Sequence, residues 1–417
     1  MKHGLLGKSL SHSHSPMIHR AFGCADFSLV ESNDPSALLV EKDFESLMVT
    51  IPYKETVLPY LNERDETAQA IGAVNLIVNN NGTLKGYNTD AYGLAKMIEA
   101  SGISVRGRKC VVVGHGGAAK CAQFVFRSMG ASSVRFLVRN PKTKDDIPFE
   151  QIDSVRDAEV LLNATPIGMY PHENDALPFS LKLFKDLAVF YDLVYNPLQT
   201  PWRLEAKAQS IPSFHGLPML VHQAALARSI VDRTPLNDAL TQAVLQRLYK
   251  TLSNIVLIGL PLSGKSKVAE LLSKLLGLTL LDSDKDIEAQ AGKSIEAIFR
   301  EDGESVFRQR ELAWAKAHAN VRGSVISTGG GMIENPIIVE LLSRNGFLVF
   351  LDKDPVNVYD VASTGRPLLP SKEAYAKLHA KRHPLYLQAA DLTIPAESPK
   401  ETILRLIEVK WNEAAHR

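Results

Sequence analysis

The sequence predicts an α/β protein with parallel sheets, arranged as two successive α/β regions. Short β-branched runs recur between helical stretches along the chain. Two of these runs, CVVVG at 110–114 and NIVLI at 254–258, lead straight into glycine-rich turns, and each turn opens a helix-like pattern. Continuous apolar strands alternating with helices imply parallel sheets covered on both faces.

The chain has 417 residues, enough for two or three domains. Hydrophobic residues make up 45% and charged residues 22%, an ordinary globular mix in which each domain can bury a core. A net charge of +1 supplies no field that would draw nucleic acid or an anionic membrane. Cys24, Cys110 and Cys121 are too few and too scattered for a disulfide framework or a zinc site. The opening Met-Lys-His-Gly-Leu-Leu-Gly-Lys breaks its apolar stretch too early for a signal peptide, and no apolar run approaches a membrane span. The expected compartment is the cytoplasm. Oligomeric state is not legible.

The first hundred residues carry four polar clusters at the edges of apolar stretches. They are His12-Ser13-His14-Ser15-Pro16, Val49-Thr50-Ile51-Pro52-Tyr53-Lys54-Glu55, Gly72-Ala73-Val74-Asn75 and Tyr87-Asn88-Thr89-Asp90. A core needs none of these groups, and together they could line a pocket for a small, hydroxyl-rich acid. Lys54 alone would pass for a surface ion-pair partner. His3, His12, His14 and His19 lack a matching carboxylate or Cys set, so local hydrogen bonding is their expected use rather than metal binding.

The first glycine-rich turn reads Gly114-His115-Gly116-Gly117-Ala118-Ala119, the GxGxxG pattern with Ala in the last place. Such a turn lets backbone approach a pyrophosphate at a helix N-terminus. The next strand runs over 134–138 and ends at Arg139, with Lys142 and Lys144 beyond it. Arginine at that place suits a ribose 2′-phosphate, where an acidic residue would suit a free hydroxyl, so NADP is favoured over NAD. A further strand is expected at 160–163.

A seam is expected near 245–253, where a helical stretch ends and a new strand begins. No Gly/Ser/Pro-rich linker lies there, so the connection should be short and ordered. Beyond it, Gly259-Leu260-Pro261-Leu262-Ser263-Gly264-Lys265-Ser266 is GxxxxGKS between a strand and a helix. In that motif backbone N–H groups cradle phosphates, Lys265 bridges them and the Ser266 hydroxyl ligates Mg²⁺. Further strands are expected at 278–281, 324–327 and 347–351. Asp282-Ser283-Asp284 sits just after the first of these. Arg308, the turn Gly329-Gly330-Gly331, the run Gly365-Arg366-Pro367-Leu368-Leu369 and Arg382 follow. Two arginines near a glycine turn can clamp a small carboxylate, because guanidinium matches it in bidentate fashion.

Residues 2–246 resemble the shikimate dehydrogenase family, with the motifs in the family's order. The resemblance implies that Ser13 and Ser15 hold the substrate carboxylate and that Thr50, Asn75 and Asp90 hold ring hydroxyls. Lys54 and Asp90 would be the catalytic pair, Gln223 would contact substrate and Met219 would pack near the nicotinamide. Gly114, Gly116, Gly117, Ala118 and Arg139 would bind NADP. Asn163-Ala164-Thr165-Pro166-Ile167-Gly168-Met169 resembles the family's cofactor-side loop, and Tyr195 also matches. The chain departs from the family at Met48, where Asn is usual, and at Gly7-Lys8-Ser9, where Gly-x-Pro is common.

Residues 254–409 resemble the shikimate kinase family. That implies Gly259, Gly264, Lys265 and Ser266 on ATP, and Asp284, Arg308, Gly330 and Arg382 on shikimate. Ser266 and Asp282 would act at Mg²⁺, and Arg366 would reach the transferring phosphate. Lys265, Asp284 and Arg366 would be catalytic. The family usually carries a second arginine shortly before Arg-Pro-Leu-Leu, but 354–365 holds no basic residue. Tyr359 is the candidate substitute stacking group.

The expected organisation is a substrate domain from 1–93 plus 222–246, a Rossmann NADP domain at 94–221, a connection at 247–253 and a P-loop kinase domain at 254–417. The expected function is reduction of 3-dehydroshikimate with NADPH, then phosphorylation of shikimate with ATP and Mg²⁺. One rival is a quinate-type dehydrogenase joined to another small-molecule kinase, such as a gluconate kinase. The arginine clamp argues against a neutral sugar. Another is a regulatory protein that binds ligands without turnover. Intact Lys54, Asp90, Lys265 and Asp284 argue against it.

Overall fold

The computed structural model describes residues 2–11, 13–144, 146–357 and 371–417. The chain forms two compact units, Met1–Leu248 with Ala415–Arg417, and Tyr249–Ala414.

The first unit holds two six-stranded sheets. One is built from β1 (His3–Gly7), β2 (Phe27–Glu31), β3 (Ser46–Val49), β4 (Glu63–Arg64), β5 (Leu76–Asn80) and β6 (Thr83–Tyr87). Its order is β2-β1-β3-β5-β6-β4. Strands β1, β2 and β3 run parallel, whereas β5 pairs antiparallel with both β3 and β6. The sheet is therefore mixed, unlike the all-parallel sheets read from the later strand runs. Its hairpin turns at Asn81-Gly82, both with positive φ, 53° and 90°. That pair suits the twist of a two-residue hairpin. Met48, where a polar residue was the family expectation, is buried on β3 beside Leu5, Leu10 and Leu76.

The other sheet comprises β7 (Lys109–Val113), β8 (Ser133–Val138), β9 (Asp146–Pro148), β10 (Val160–Asn163), β11 (Val189–Asp192) and β12 (Ser213–His215). All its pairings are parallel, in the order β12-β11-β10-β7-β8-β9. Successive side chains of a strand face opposite ways. Cys110 and Val112 thus join one core with Phe126, Leu162 and Tyr191, while Val111 and Val113 join another with Leu161, Phe190 and Trp202. This explains the unbroken apolar run. The strand order reverses between β7 and β10, and a crevice opens at the C-terminal ends of strands where this happens.

Helix Asp90–Ser101 packs on helix Leu217–Asp232. A Cβ at Gly93 would lie 2.4 Å from the Met219 carbonyl oxygen, so only glycine permits this approach. The crossing carries Asp90 and Gln223 to one place.

Helix Asp238–Leu252 runs through the boundary between the units, and Ser253 alone separates it from the next strand. The second unit has five strands, β13 (Asn254–Ile258), β14 (Thr279–Asp282), β15 (Ser324–Ser327), β16 (Gly346–Asp352) and β17 (Leu392–Pro395). All are parallel, in the order β14-β15-β13-β16-β17. Strand β14 begins one residue later than the apolar run suggests. Gly277, with φ 66°, caps the preceding helix, and the Leu278 N–H donates back to Ser273, so Leu278 belongs to that cap. Asp282 accordingly ends the strand rather than following it.

Candidate active sites

The dinucleotide turn leaves β7 at Gly114, whose φ of 110° and near contact with Thr165 (2.9 Å from a Cβ placed there) both demand glycine. Helix Gly117–Ser128 starts at its end, with Ala118 in the first turn, and a Cβ at Gly116 would meet nothing within 4 Å. The turn's open side and the helix N-terminus suit a pyrophosphate. Arg139, Lys142 and Lys144 are exposed after β8. Asp146 is buried and accepts hydrogen bonds from the N–H groups of Lys142 and Thr143, from the Thr143 hydroxyl and from His115. Burial alone would raise its carboxyl, but these bonds outweigh it and hold the group below its ordinary value. His115 and Asp146 had no sequence-based role; an odd His within a glycine turn was the available signal.

Facing the glycine-rich turn is a cluster of buried polar side chains that includes Lys54 and Asp90. Lys54 Nζ donates to Asp90 Oδ2 at 2.5 Å, with both side chains mostly buried. Asn75 is the hub. Its amide nitrogen lies 2.9 Å from Asp90 Oδ1, 2.9 Å from Thr89 Oγ1 and 3.1 Å from Gln223 Oε1. The Thr89 N–H donates back to Asn75 Oδ1 at 2.7 Å. The stem of Lys54 is close to the dinucleotide turn, since a Cβ at Gly117 would sit 3.1 Å from Lys54 Cβ. Lys54, Asn75, Asp90 and Gln223 therefore meet through direct hydrogen bonds. Thr89 completes the group; it lay in a quoted motif without a role.

Ser13, Ser15 and Thr50 have no hydrogen bond to that hub among the described residues. A Cβ at Gly7 would collide with Leu10 (2.6 Å) and Thr50 (2.7 Å), and the Ser13 N–H donates to the Leu10 carbonyl at 2.9 Å. The Ser15 N–H donates to Ser13 Oγ at 3.2 Å as the helix Ser15–Ala21 begins. Between the two serines, the His14 ring lies 6.0 Å from that of Tyr195. Met219 is buried in the first turn of its helix. The loop after β10 is fixed by Asp192, which accepts from Asn163 Nδ2 at 2.9 Å and from the Thr200 hydroxyl at 2.6 Å. Burial pushes the Asp192 carboxyl up to about 6, against those two bonds and the Val194 N–H.

In the second unit, Gly259 has a φ of 148°, and a Cβ there would meet the Leu351 carbonyl oxygen at 2.7 Å. Gly264, φ 83°, caps helix Lys265–Leu276. Lys265 Nζ donates to the carbonyls of Gly259 and Leu260, each at 2.8 Å, which keeps the ammonium inside the loop. Ser266 Oγ lies 3.3 Å from Ser327 Oγ, and Ser327 is in register with Asp282 on the neighbouring strand. A hydroxyl and a carboxylate brought together in this way fit a hard, oxygen-seeking Mg²⁺. Asp282 also caps helix Ser283–Ala291 by accepting from the N–H groups of Asp284 and Lys285.

The residues expected to hold the phosphoryl acceptor gather around the triple-glycine turn after β15. A Cβ at Gly329 would lie 2.5 Å from Asp284 Oδ1, and one at Gly331 would lie 1.8 Å from Arg308 Nη1. The Gly330 carbonyl accepts from the Tyr386 hydroxyl at 2.7 Å. Arg308 is held by Glu304 and Glu311, each at 2.8 Å. Arg382, almost fully buried, donates to Glu334 at 2.5 Å. Asp284, Arg308 and Gly330 thus share one turn, with Arg382 joined through the segment that follows it. Burial pushes the Glu311 carboxyl up to about 6, against the attraction of Arg308. Burial would likewise raise Glu334, but the bonds from Lys381 and Arg382 prevail and lower it. Glu311 and Tyr386 lay in motif runs without a role and Glu334 was not singled out, since only the folded chain shows what they touch. Arg366 and Tyr359 lie outside the described residues.

Among the described residues no helix is long and apolar enough to cross a membrane. The family model for the shikimate dehydrogenase substrate binding domain matches residues 5–77, and that for shikimate kinase matches residues 261–410. A shikimate dehydrogenase (NADP(+)) of Chlorobaculum tepidum is 38% identical over 261 residues, covering 54% of this chain and 88% of that protein. Among solved structures, a chorismate mutase/shikimate 5-dehydrogenase fusion protein from Clostridium acetobutylicum is 30% identical with a TM-score of 0.56. It covers 60% of this chain and 98% of that one. Shikimate 5-dehydrogenase from Thermus thermophilus, solved in complex with NADP(H) and shikimate, is 30% identical with a TM-score of 0.52. It covers 59% of this chain and 99% of that one. The chain belongs to the shikimate dehydrogenase family and carries a shikimate kinase domain behind it.

Proposed function

We propose that the chain catalyses two consecutive reactions: 3-dehydroshikimate is reduced to shikimate with NADPH, and shikimate is phosphorylated to shikimate 3-phosphate with ATP. The observation that carries this reading is the Lys54–Asp90 contact at 2.5 Å, tied by Asn75 to Gln223 and placed against the dinucleotide turn at Gly117. NADPH, when bound, supplies the hydride. Lys54 gives a proton to the oxygen that becomes the new hydroxyl, and Asp90 holds the ammonium in position. Positioned acids of this kind typically contribute ~10²–10⁴-fold. Asn75, Thr50 and Gln223 orient the ring, and Ser13 and Ser15 hold its carboxylate. Gly114, Gly116, Gly117 and Ala118 receive the pyrophosphate. Arg139 selects the 2′-phosphate and Met219 packs at the nicotinamide.

In the second reaction Arg308, Arg382 and Gly330 hold shikimate, while Asp284 orients the hydroxyl and accepts its proton. Ser266, and Asp282 through its shell, would hold Mg²⁺, which would neutralise phosphate charge; Gly259, Gly264 and Lys265 cradle the nucleotide, and Arg366 acts at the transferring group. We assign substrate binding to 1–93 with 222–246, dinucleotide binding to 94–221, the connection to 247–253 and phosphoryl transfer to 254–417. Cytoplasmic location accords with both substrates being soluble metabolites.

The test is to incubate the purified chain with 3-dehydroshikimate, NADPH, ATP and Mg²⁺ and follow intermediates by mass spectrometry. Sequential appearance of shikimate and its phosphate is expected. Absence of both, with ligand binding intact, would favour a binding protein without turnover. Reduction of dehydroquinate in place of dehydroshikimate would favour the quinate-type reading.

A further inference from the structure

The second unit contains a group of metal-ligating side chains that neither reaction uses. Asp352 ends β16, and His379 and His383 lie on helix Lys372–Ala389, four residues apart and so on one face. His383 Nε2 is 3.1 Å from Asp352 Oδ2, and His379 Nε2 is 4.0 Å from Asp352 Oδ1. One ligand atom from each residue lies within 4.8 Å of the other two. The imidazoles are stacked with centroids 4.6 Å apart, and the Phe350 ring stands edge-on to His383 at 5.7 Å, an apolar wall. The three side chains are between 21% and 29% exposed, so solvent can reach the group without dispersing it.

We infer that Asp352, His379 and His383 form a binding site for a divalent transition-metal ion, Zn²⁺ being the best match. Two imidazoles and one carboxylate are the borderline donor set that zinc accepts, with a water completing a tetrahedron. Mg²⁺ seeks oxygen donors in octahedral array and would be a poor occupant. His-x-x-x-His on a helix face is the spacing by which helices present two imidazoles to one ion. A plain ion pair leaves one histidine redundant: Asp352 needs a single protonated partner, and two imidazolium rings stacked this closely would repel. An ion bound to both keeps both rings neutral. Nearby groups are committed elsewhere, since Lys353 pairs with Glu397 at 3.0 Å and Arg382 with Glu334. The site is thus defined by the mutual contacts of Asp352, His379 and His383 and by Phe350. It lies one residue beyond Leu351, whose carbonyl abuts Gly259 of the phosphate loop.

The experiment uses the full chain without an affinity tag, stripped of metal and titrated with Zn²⁺ by calorimetry in excess Mg²⁺. Co²⁺ substitution, read by visible ligand-field absorption, reports the geometry. One equivalent of Zn²⁺ is expected, with its affinity lowered about tenfold or more in His379→Ala, His383→Ala and Asp352→Asn, in line with the cost of disturbing a ligand set. Unchanged affinity in all three variants, or displacement of Zn²⁺ by Mg²⁺, overturns the inference. Should a variant fail to fold, the unmutated chain still decides. Zn²⁺ is expected to protect His379 and His383 from diethyl pyrocarbonate, mapped by mass spectrometry, and equal modification with and without Zn²⁺ rejects the site.

Discussion

His115 Nδ1 lies 2.7 Å from Asp146 Oδ1, and this pair links the glycine-rich turn to the basic loop after β8. The same carboxylate gathers the N–H groups of Lys142 and Thr143, so one buried side chain ties the glycine-rich turn to the loop that follows Arg139. Asp146→Ala should free the loop that carries Arg139 and Lys142. The expected result is an NADPH KM raised about tenfold, with kcat little changed. Bonds to a charged group contribute about 1.5–3 kcal/mol, and about 1.4 kcal/mol is tenfold in affinity. Steady-state kinetics in NADPH check this, and a KM within twofold of normal would relieve Asp146 of the role.

Lys54→Ala should lower the dehydrogenase kcat by ~10²-fold or more and leave kinase turnover near normal, because the proton donor is lost from one site only. Lys265→Ala should do the reverse, since the lysine serves the phosphates alone. Assaying each variant in both reactions tests the pair. A joint fall in both activities would contradict independent sites.

Gly331 should matter for shikimate rather than for ATP. An added methyl would fall on Arg308 Nη1, the far end of a long side chain, so the chain can fold by displacing the guanidinium from Glu311. Gly331→Ala is expected to raise the shikimate KM severalfold and to leave the ATP KM unchanged. An unchanged shikimate KM would separate Arg308 from substrate binding.

Asp192 should make stability depend on pH. Its carboxyl is raised from 3.8 to about 6 by burial, so the folded chain holds this proton more tightly than the unfolded chain does. The resulting stabilisation is complete below about pH 4 and is lost as pH rises through about 6. Relative to Asp192→Asn, the natural chain should lose on the order of 2–3 kcal/mol between those limits. Thermal melts of both proteins across that range give the difference directly, and parallel curves would refute it.

Legibility in the sequence followed burial. Strands β7, β10, β13 and β15 are covered on both faces, so their unbroken apolar runs stood out. In the first sheet β2 and β6 are partly exposed, and Thr-Leu-Lys-Gly-Tyr gives no comparable run. The hairpin between β5 and β6 went unread, although Asn81-Gly82 marks its turn. Lys54, Asn75, Asp90 and Gln223 were found through motif order, and the structure brings them into contact. Glu311 and Glu334 were given no role, because a glutamate on a helix reads as solvated until its arginine partner is located.

Tyr249, in the last turn of the helix that crosses between the units, lies 6.1 Å from the Trp411 ring, and Trp411 Nε1 donates to Ser253 Oγ at 3.0 Å. The first and last segments of the kinase unit thus meet. Synthesis from the N-terminus delivers every strand of the dehydrogenase unit by His215, while the kinase unit must wait for Trp411, 158 positions after Ser253. Domains generally fold in the order in which they leave the ribosome. The strands of the dehydrogenase unit can therefore assemble on the growing chain well before Trp411 arrives to join the two ends of the kinase unit.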